Sequence, residues 1–540
     1  MEEKNHSSLN DETVTGTFSK LAPWTLGARI FVMVMAMVAT SILTRTMTEA
    51  EWDEYSLLKN MWWYIWLLGQ LGLSESALRF GAELSARGDA SGFRRLLVRL
   101  ILIQCIAIGA MFAGFILLRG WLDTLFSVRF GFALIMTVIL GAITIFKETL
   151  RQGYVAAYWV KLVALMSVVG AATFPAASYV YIVVLGWGVT GGLAGEATGY
   201  ALMLLVFAGG LPRLKFRRMS AKQDEEEPVT AYRIFRYSGA VVSNNLVMLV
   251  FGQNIVVFLV GYFLRRQEGA VGMYNLAVFM PRMGFSFLTL AIIPLVTAML
   301  TKAYYQDRTR LPGLLNSYYK LMILMVVPLM AAGLLFVDKA LGVLSGDLGA
   351  KAGWLATALL PIRTALILVI PIAAGLNVLE KAQRLIIARI LCGIGEIGLI
   401  SLFLYSWPSL ETIIYAHYIA SFVFTTIMMT LAVRIVGGFY FPYRFFLRSV
   451  GACSLVVLLY PVRFLWPVAQ EWGAANFGEP DVGGAALLIP VLILAVVLMV
   501  IGARIFGLFG PDETRYFRNA KIPGMKFVMS ILVPKKYRPE

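Results

Sequence analysis

Histidine, cysteine and charge are all scarce in this chain. Of its two histidines, His6 lies in a polar N-terminal stretch and His417 in an apolar run, so there is no H-E-x-x-H motif, no zinc cluster and no Ser-His-Asp grouping. The three cysteines, Cys105, Cys392 and Cys453, each sit inside an apolar run. They read as small packing residues and exclude a disulfide framework. A G-x-x-x-x-G-K-[ST] phosphate loop is missing, which excludes ATP hydrolysis by this chain. Two G-x-G-x-x-G matches, 186–191 and 393–398, do not follow a strand of a βαβ unit, so neither reads as a nucleotide site. No cofactor is expected. Charged residues make up 14% of the chain, against about 25% in soluble domains. Acids are the scarcer sign, 31 against 47 lysines and arginines. No basic patch on a polar domain accompanies the net charge of +16, so nucleic acid is not expected as a partner.

Apolar side chains fill the gap. The chain is 59% hydrophobic with a mean hydropathy of +0.76, too apolar for a water-soluble core, so lipid must be its solvent. A membrane helix needs about 20 mostly apolar residues at about 1.5 Å each. Fourteen stretches qualify: 24–43, 57–80, 96–118, 130–146, 160–184, 189–210, 237–262, 272–299, 320–337, 353–378, 385–405, 411–433, 449–462 and 483–503. The fourth is short, Pro175 is expected to kink or break the fifth, and the thirteenth is the weakest. The start of the chain is polar and partly acidic, unlike a signal peptide, so 1–22 reads as a cytoplasmic tail.

Lysine and arginine set the orientation. With the N-terminus inside, 30 of the 47 fall in cytoplasmic segments and eight in external ones. Both termini are therefore expected in the cytoplasm. The richest inside segment, 211–236, is also the longest polar interruption, and it reads as a linker between halves. A shift of 219 residues supports duplication, laying Glu49, Tyr55, Leu57 and Met61 on Glu268, Tyr274, Leu276 and Met280. The expected fold is an all-α polytopic membrane protein of about 14 transmembrane helices. An N-lobe (23–210, helices one to six) and a C-lobe (237–436, helices seven to twelve) are followed by two extra helices in 437–505 and a basic cytoplasmic tail, 506–540. Duplicated halves place a substrate path at their interface, near the midplane.

The stretch "QLGLSESALRFGAEL" (70–84) sets Glu75, Arg79 and Glu83 one helical turn apart. They are expected to neutralise one another along one face, about 0.2–0.5 kcal/mol per exposed pair. Glu75 is either part of a helix end leaving the bilayer or an ionisable group facing an inward-opening cavity. Residues 20–95 resemble the first two helices of the Wzx-type oligosaccharide and polysaccharide flippases. These belong to the multidrug/oligosaccharidyl-lipid/polysaccharide exporter superfamily. The resemblance rests on the "RTMTEAEWDEY" loop and the "LGLSESALRFGAE" helix end, although Thr46 and Glu54 stand in the region of the usual loop glycines. It implies two six-helix lobes in a V, alternately open to each side of the cell membrane. The implied cargo is a sugar chain on a polyprenyl pyrophosphate, handled beside membrane lipids and polysaccharide-assembly proteins.

Charges within spans are the candidate site. Burying an arginine at a helix centre costs about 2.5–3.5 kcal/mol on insertion scales, so each needs a partner, water or a ligand. Arg282, beside Pro281, and Arg363, near Pro361, each lie about ten residues, roughly 15 Å, into their spans. A planar fork that stays protonated suits pyrophosphate. The alternative is pairing with an internal carboxylate such as Glu396. Arg29 either snorkels to the cytosol or, as the resemblance implies for its "GARI" setting, faces the cavity. Lys59 is expected to snorkel, and Lys161 and Arg389 to be interfacial. Glu75, Glu196, Glu396 and His417 are candidates for a coupling ion. Asn244, Asn245, Gln253 and Asn254 either bind sugar hydroxyls or bond between helices. Gly191, Gly195 and Gly199 read as close helix packing.

A secondary flippase is the leading expectation, and proton, sodium and membrane potential all stand open as its driving force. A small-molecule or drug antiporter on the same scaffold is the alternative. It predicts acids lining the cavity, and the midspan arginines argue against it. A polytopic polymerase or ligase predicts a sizeable external loop, but the longest external segment is about 20 residues.

Overall fold

The structure, a computed structural model, describes residues 3–213, 229–250, 253–279, 281–285, 300, 309, 311–379, 382–436 and 440–509. Most of the expected linker 211–236 and of the tail 506–540, and part of the eighth span, lie outside the described residues. Among the described residues the regular structure is helical, with no strand. Ten helices among the described residues are long and apolar enough to cross a membrane. The chain is thus an all-α, multi-pass membrane protein. It packs as two compact units, residues 1–272 and 273–540.

In the first unit, α1 runs Glu3–Thr46. Thr48 then caps α2 (Glu49–Gln70) in a capping box: its hydroxyl accepts from the Glu51 amide, and the Glu51 carboxylate accepts from the Thr48 amide. The expected second span, 57–80, is two helices rather than one. Leu71 (φ 48°) and Gly72 (φ 66°) turn left-handed, and the chain restarts as α3 (Leu73–Arg87). Gly72 permits this twice over, because an added Cβ would lie 2.7 Å from the Ser238 carbonyl. Next come α4 (Ala90–Phe126), α5 (Gly131–Ala156), α6 (Val160–Tyr179) and α7 (Gly188–Gly210). Pro175 does not break α6, which passes through it and widens into a π turn at Val180–Val184. The fourth span is longer than expected, 26 residues.

Helix α5 touches α2, α3, α4 and α7. A core of Phe80, Phe93, Leu97, Leu150, Tyr154 and Phe207 fills the spaces around it. Lipid is as apolar as these side chains, so close packing rather than escape from water holds the helices together. The glycine stripe of α7 serves that packing: a Cβ on Gly195 would sit 2.6 Å from the Ser178 amide nitrogen, and one on Gly199 would sit 2.6 Å from the Gly170 carbonyl oxygen. Helices α8 (Ala231–Val250) and α9 (Gln253–Phe263) lie on α2 and α3. Helix α10 covers 270–279, with 281–285 also helical. Its first turn is capped from α2, where the Asp53 carboxylate accepts from the amides of Gly269 (2.8 Å) and Gly272 (2.6 Å).

The second unit is built on α11 (Leu311–Leu368), which carries the expected ninth and tenth spans without a separate loop. It folds at Gly346, whose φ of 60° and ψ of −140° suit only glycine. The two arms approach closely: a Cβ on Gly353 would lie 2.7 Å from the Asp338 Cβ, and one on Gly333 would lie 2.6 Å from a Leu360 methyl. Then follow α12 (Ile370–Val378), α13 (Ala382–Ser406) and α14 (Leu410–Val436). The expected thirteenth span lies on a longer helical path of α15 (Tyr443–Ser454), a 3₁₀ stretch Leu455–Leu465 and α16 (Trp466–Phe477). Arg463 of that stretch pairs with Asp338 of α11 and donates to the Leu335 carbonyl at 2.9 Å. The final helix, α17 (Pro480–Ile505), packs on α11, α15 and α16.

Candidate functional site

Five ionisable side chains of the second unit converge from four helices. Tyr274 is on α10, Arg282 just beyond it, Arg363 on α11, Glu396 on α13 and His417 on α14. Most neighbouring positions on α13 and α14 are apolar, so the polar groups there depend on one another for partners. The His417 imidazole does so on both sides. Its Nδ1 is 2.8 Å from Glu396 Oε1, and its Nε2 is 2.9 Å from the Tyr274 hydroxyl. The Tyr274 and His417 rings are parallel, 5° apart. Tyr274 is 1% exposed and His417 4%, whereas Glu396 keeps a third of its side chain exposed. A carboxylate that can be reached and a sealed imidazole hydrogen-bonded to it are two groups able to exchange a proton.

Arg363 is half-buried and in electrostatic range of Tyr274, Arg282 and Glu396. It makes no ion pair or hydrogen bond among the described residues, and Glu396 faces His417 instead. Arg282 is exposed. Two guanidinium groups thus stand in electrostatic range of each other. The planar fork of a guanidinium donates two parallel hydrogen bonds, which suits a multiply charged oxyanion. Cys392, one turn before Glu396 on α13, is in its electrostatic range.

The other residues singled out in the sequence lie elsewhere. Glu196, buried on α7, is held by Lys59 of α2 at 2.5 Å, so Lys59 does not snorkel as expected. The Lys59 ammonium also lies 3.7 Å from the Trp62 ring centre. Glu75 is in the first turn of α3, where the helix dipole favours an acid. Its Oε2 is buried without a hydrogen-bond partner. The expected Glu75–Arg79–Glu83 ladder does not form. Glu83 pairs with Arg87 and with Arg233 of α8, while the Arg79 guanidinium lies 4.6 Å from the Tyr237 ring centre. The three share one helix, and it is the aromatic partner on α8 that draws Arg79 away from the ladder. Arg29 is exposed on α1. Asn245 and Asn254 are half-buried, and the side chains of Asn244 and Gln253 lie outside the described residues.

Tyr274 was legible only through the repeat, which matches it to Tyr55. Each tyrosine is buried, and each is in electrostatic range of a glutamate of its own unit, Tyr55 of Glu196 and Tyr274 of Glu396. Nothing in the residue pattern marks either tyrosine out, because buried tyrosine is common packing.

No protein-family model matches the chain, and no curated protein matches it. Solved structures do. The chain is similar to the lipid II flippase MurJ in an inward closed conformation (TM-score 0.62, 14% identity, covering 90% of this chain and 98% of that one). It is similar to a multidrug resistance MATE family transporter of the MOP superfamily in its inward-facing conformation (TM-score 0.60, 14% identity, 76% and 98%). It is also similar to a MOP superfamily transporter from Pyrococcus furiosus whose binding pocket is described as of reverse polarity (TM-score 0.53, 14% identity, 77% and 95%). At such identities the likeness establishes the fold, which is that of these transporters.

Proposed function

We propose that the chain is a secondary-active flippase that carries a polyprenyl-pyrophosphate-linked oligosaccharide across the cell membrane by alternating access, with both termini in the cytoplasm. The observation that carries this reading is Arg363. A half-buried guanidinium on an apolar helix, without a hydrogen bond or ion pair among the described residues, is costly unless a ligand or water meets it. With Arg282 beside it, the site offers the paired donors that a pyrophosphate needs, and the lipid tail of such a cargo stays in the bilayer. The fold shared with a lipid II flippase supports the cargo class without naming the sugar. Polysaccharide-assembly proteins are the proposed partners.

Glu396 and His417 are the proposed coupling pair. A proton taken up there raises the charge facing Arg363 by one unit, so anion affinity and protonation are linked. The charged and titratable groups in range are Tyr274, Arg282, Arg363, Glu396, His417 and Cys392. A reconstituted flipping assay with a lipid pyrophosphate oligosaccharide tests the proposal. Arg363→Ala and Arg282→Ala should each reduce flipping at least tenfold. Wild-type rates in both would end the site assignment. Movement of organic cations in place of the glycolipid would favour the drug antiporter reading that the MATE-like fold also allows.

A further inference from the structure

The first unit holds an ammonium group that its own acids leave unanswered. Lys147 of α5 is 8% exposed and makes no hydrogen bond or ion pair among the described residues. Its Nζ lies 3.7 Å from the centre of the Tyr200 ring of α7. Two carboxylates are in electrostatic range, and both are already engaged. Glu196 is bound by Lys59 at 2.5 Å and accepts from the Tyr200 hydroxyl. Glu148 is bound by Arg151, whose Nε reaches its two oxygens at 2.9 and 3.1 Å, and by the Gln152 amide at 3.0 Å. Three cations therefore face two anions, and the excess charge falls on Lys147. Glu75 is a third carboxylate nearby, in electrostatic range of Glu148 but not among the groups in range of Lys147. A ring face offsets part of the cost of a desolvated ammonium, but an uncompensated buried charge is otherwise strongly destabilising.

We propose that Lys147, seated on Tyr200, is an oxyanion-binding side chain of the first unit that takes a phosphoryl group, and that Lys59 is a positioning residue that keeps Glu196 from neutralising it. Identifying that phosphoryl group with the cargo's pyrophosphate rests on the flippase reading. The chemistry at Lys147 does not.

The test uses the full chain in nanodiscs and measures binding of three probes: a short-chain polyprenyl pyrophosphate, inorganic pyrophosphate and the corresponding neutral polyprenol. Lys147→Met should weaken both pyrophosphates about tenfold and leave the polyprenol unchanged, while Lys147→Arg should stay within about threefold of wild type. Lys59→Met should weaken the anions as Lys147→Met does, and adding Glu196→Gln should restore them. Melting is the second readout. Lys147→Met should melt no lower than wild type, because a methionine replaces an unpaired buried charge. Anion affinities unchanged by Lys147→Met, or a melting point several degrees lower, would overturn the assignment. Wild type that binds inorganic pyrophosphate through Lys147 but ignores the lipid form would uphold this site and refute the flippase reading. Lipid pyrophosphate binding that depends on Arg363 but not on Lys147 would do the reverse.

Discussion

Tyr274 and His417 stand 143 positions apart in the chain, yet their side chains meet at 2.9 Å with rings 5° from parallel. The hydroxyl fills one imidazole nitrogen and Glu396 fills the other, so neither nitrogen is left bare in an apolar surround. Tyr274→Phe keeps the ring and removes the bond, leaving one buried nitrogen unsatisfied. The expected cost is about 1–3 kcal/mol, read as a lower melting temperature in detergent. An unchanged melting point would mean that the contact carries no weight.

Lys59 and Glu196 invite a double-mutant cycle. Glu196 is buried, so removing Lys59 alone breaks the pair and leaves Lys147 as a cation in its range, at a cost below the ~3–5 kcal/mol of a fully stranded charge. Lys59→Met with Glu196→Gln should recover most of that loss. Additive losses in chemical or thermal unfolding would argue against the pair as a unit.

Acidity should act on the start of α2, which precedes the apolar part of that helix. Burial pushes the Asp53 carboxyl up to about 6, helped by Glu49 and Glu268 and opposed by its bonds from Gly269 and Gly272. Burial, with Glu51 and Asp123, pushes Glu54 up to about 7. A carboxyl whose folded pKa is raised holds its proton more tightly when folded. These two therefore add stability as the pH falls from about 8 toward the ordinary carboxylate range, and withdraw it as the pH rises. Melting temperature should climb between pH 8 and 5 in wild type and climb less in Asp53→Asn and Glu54→Gln. Equal slopes in all three proteins would contradict this.

Helix contact in the first unit can be probed at Gly195. A side chain there collides with Ser178 backbone, which cannot swing aside. Gly195→Leu should cost at least 1–3 kcal/mol by overpacking and lower the yield of folded protein. Gly109, with nothing within 4 Å of its Cβ position, is the control, and Gly109→Leu should be tolerated.

Much of the fold was legible because lipid imposes a simple rule: the apolar stretches fall on helices wherever the chain is described. What hydropathy does not encode is where a helix stops inside an apolar run. Leu71 is an ordinary helix former, and its left-handed turn is set by Gly72 wedged against Ser238 on α8, a contact no local window contains. Between the ninth and tenth spans the break was legible; its compression into one residue, Gly346, was not. At the candidate site, Arg363, Glu396 and His417 stood out as rare charges in grease. Tyr274 and Lys147 did not. A tyrosine reads as packing, and Lys147 lay just past the expected end of its span, where a lysine is ordinary.

Since α11 doubles back through a single glycine, its two arms have no slack between them. Any sliding of residues 311–345 past 347–368 must be absorbed by the two torsion angles of Gly346 or resisted by the interlocked small residues along the seam. Arg363 rides on the second arm, and Asp338, anchored to Arg463, rides on the first. The pair of arms therefore behaves mechanically as one stiff lever, and the guanidinium moves with it as a fixed attachment.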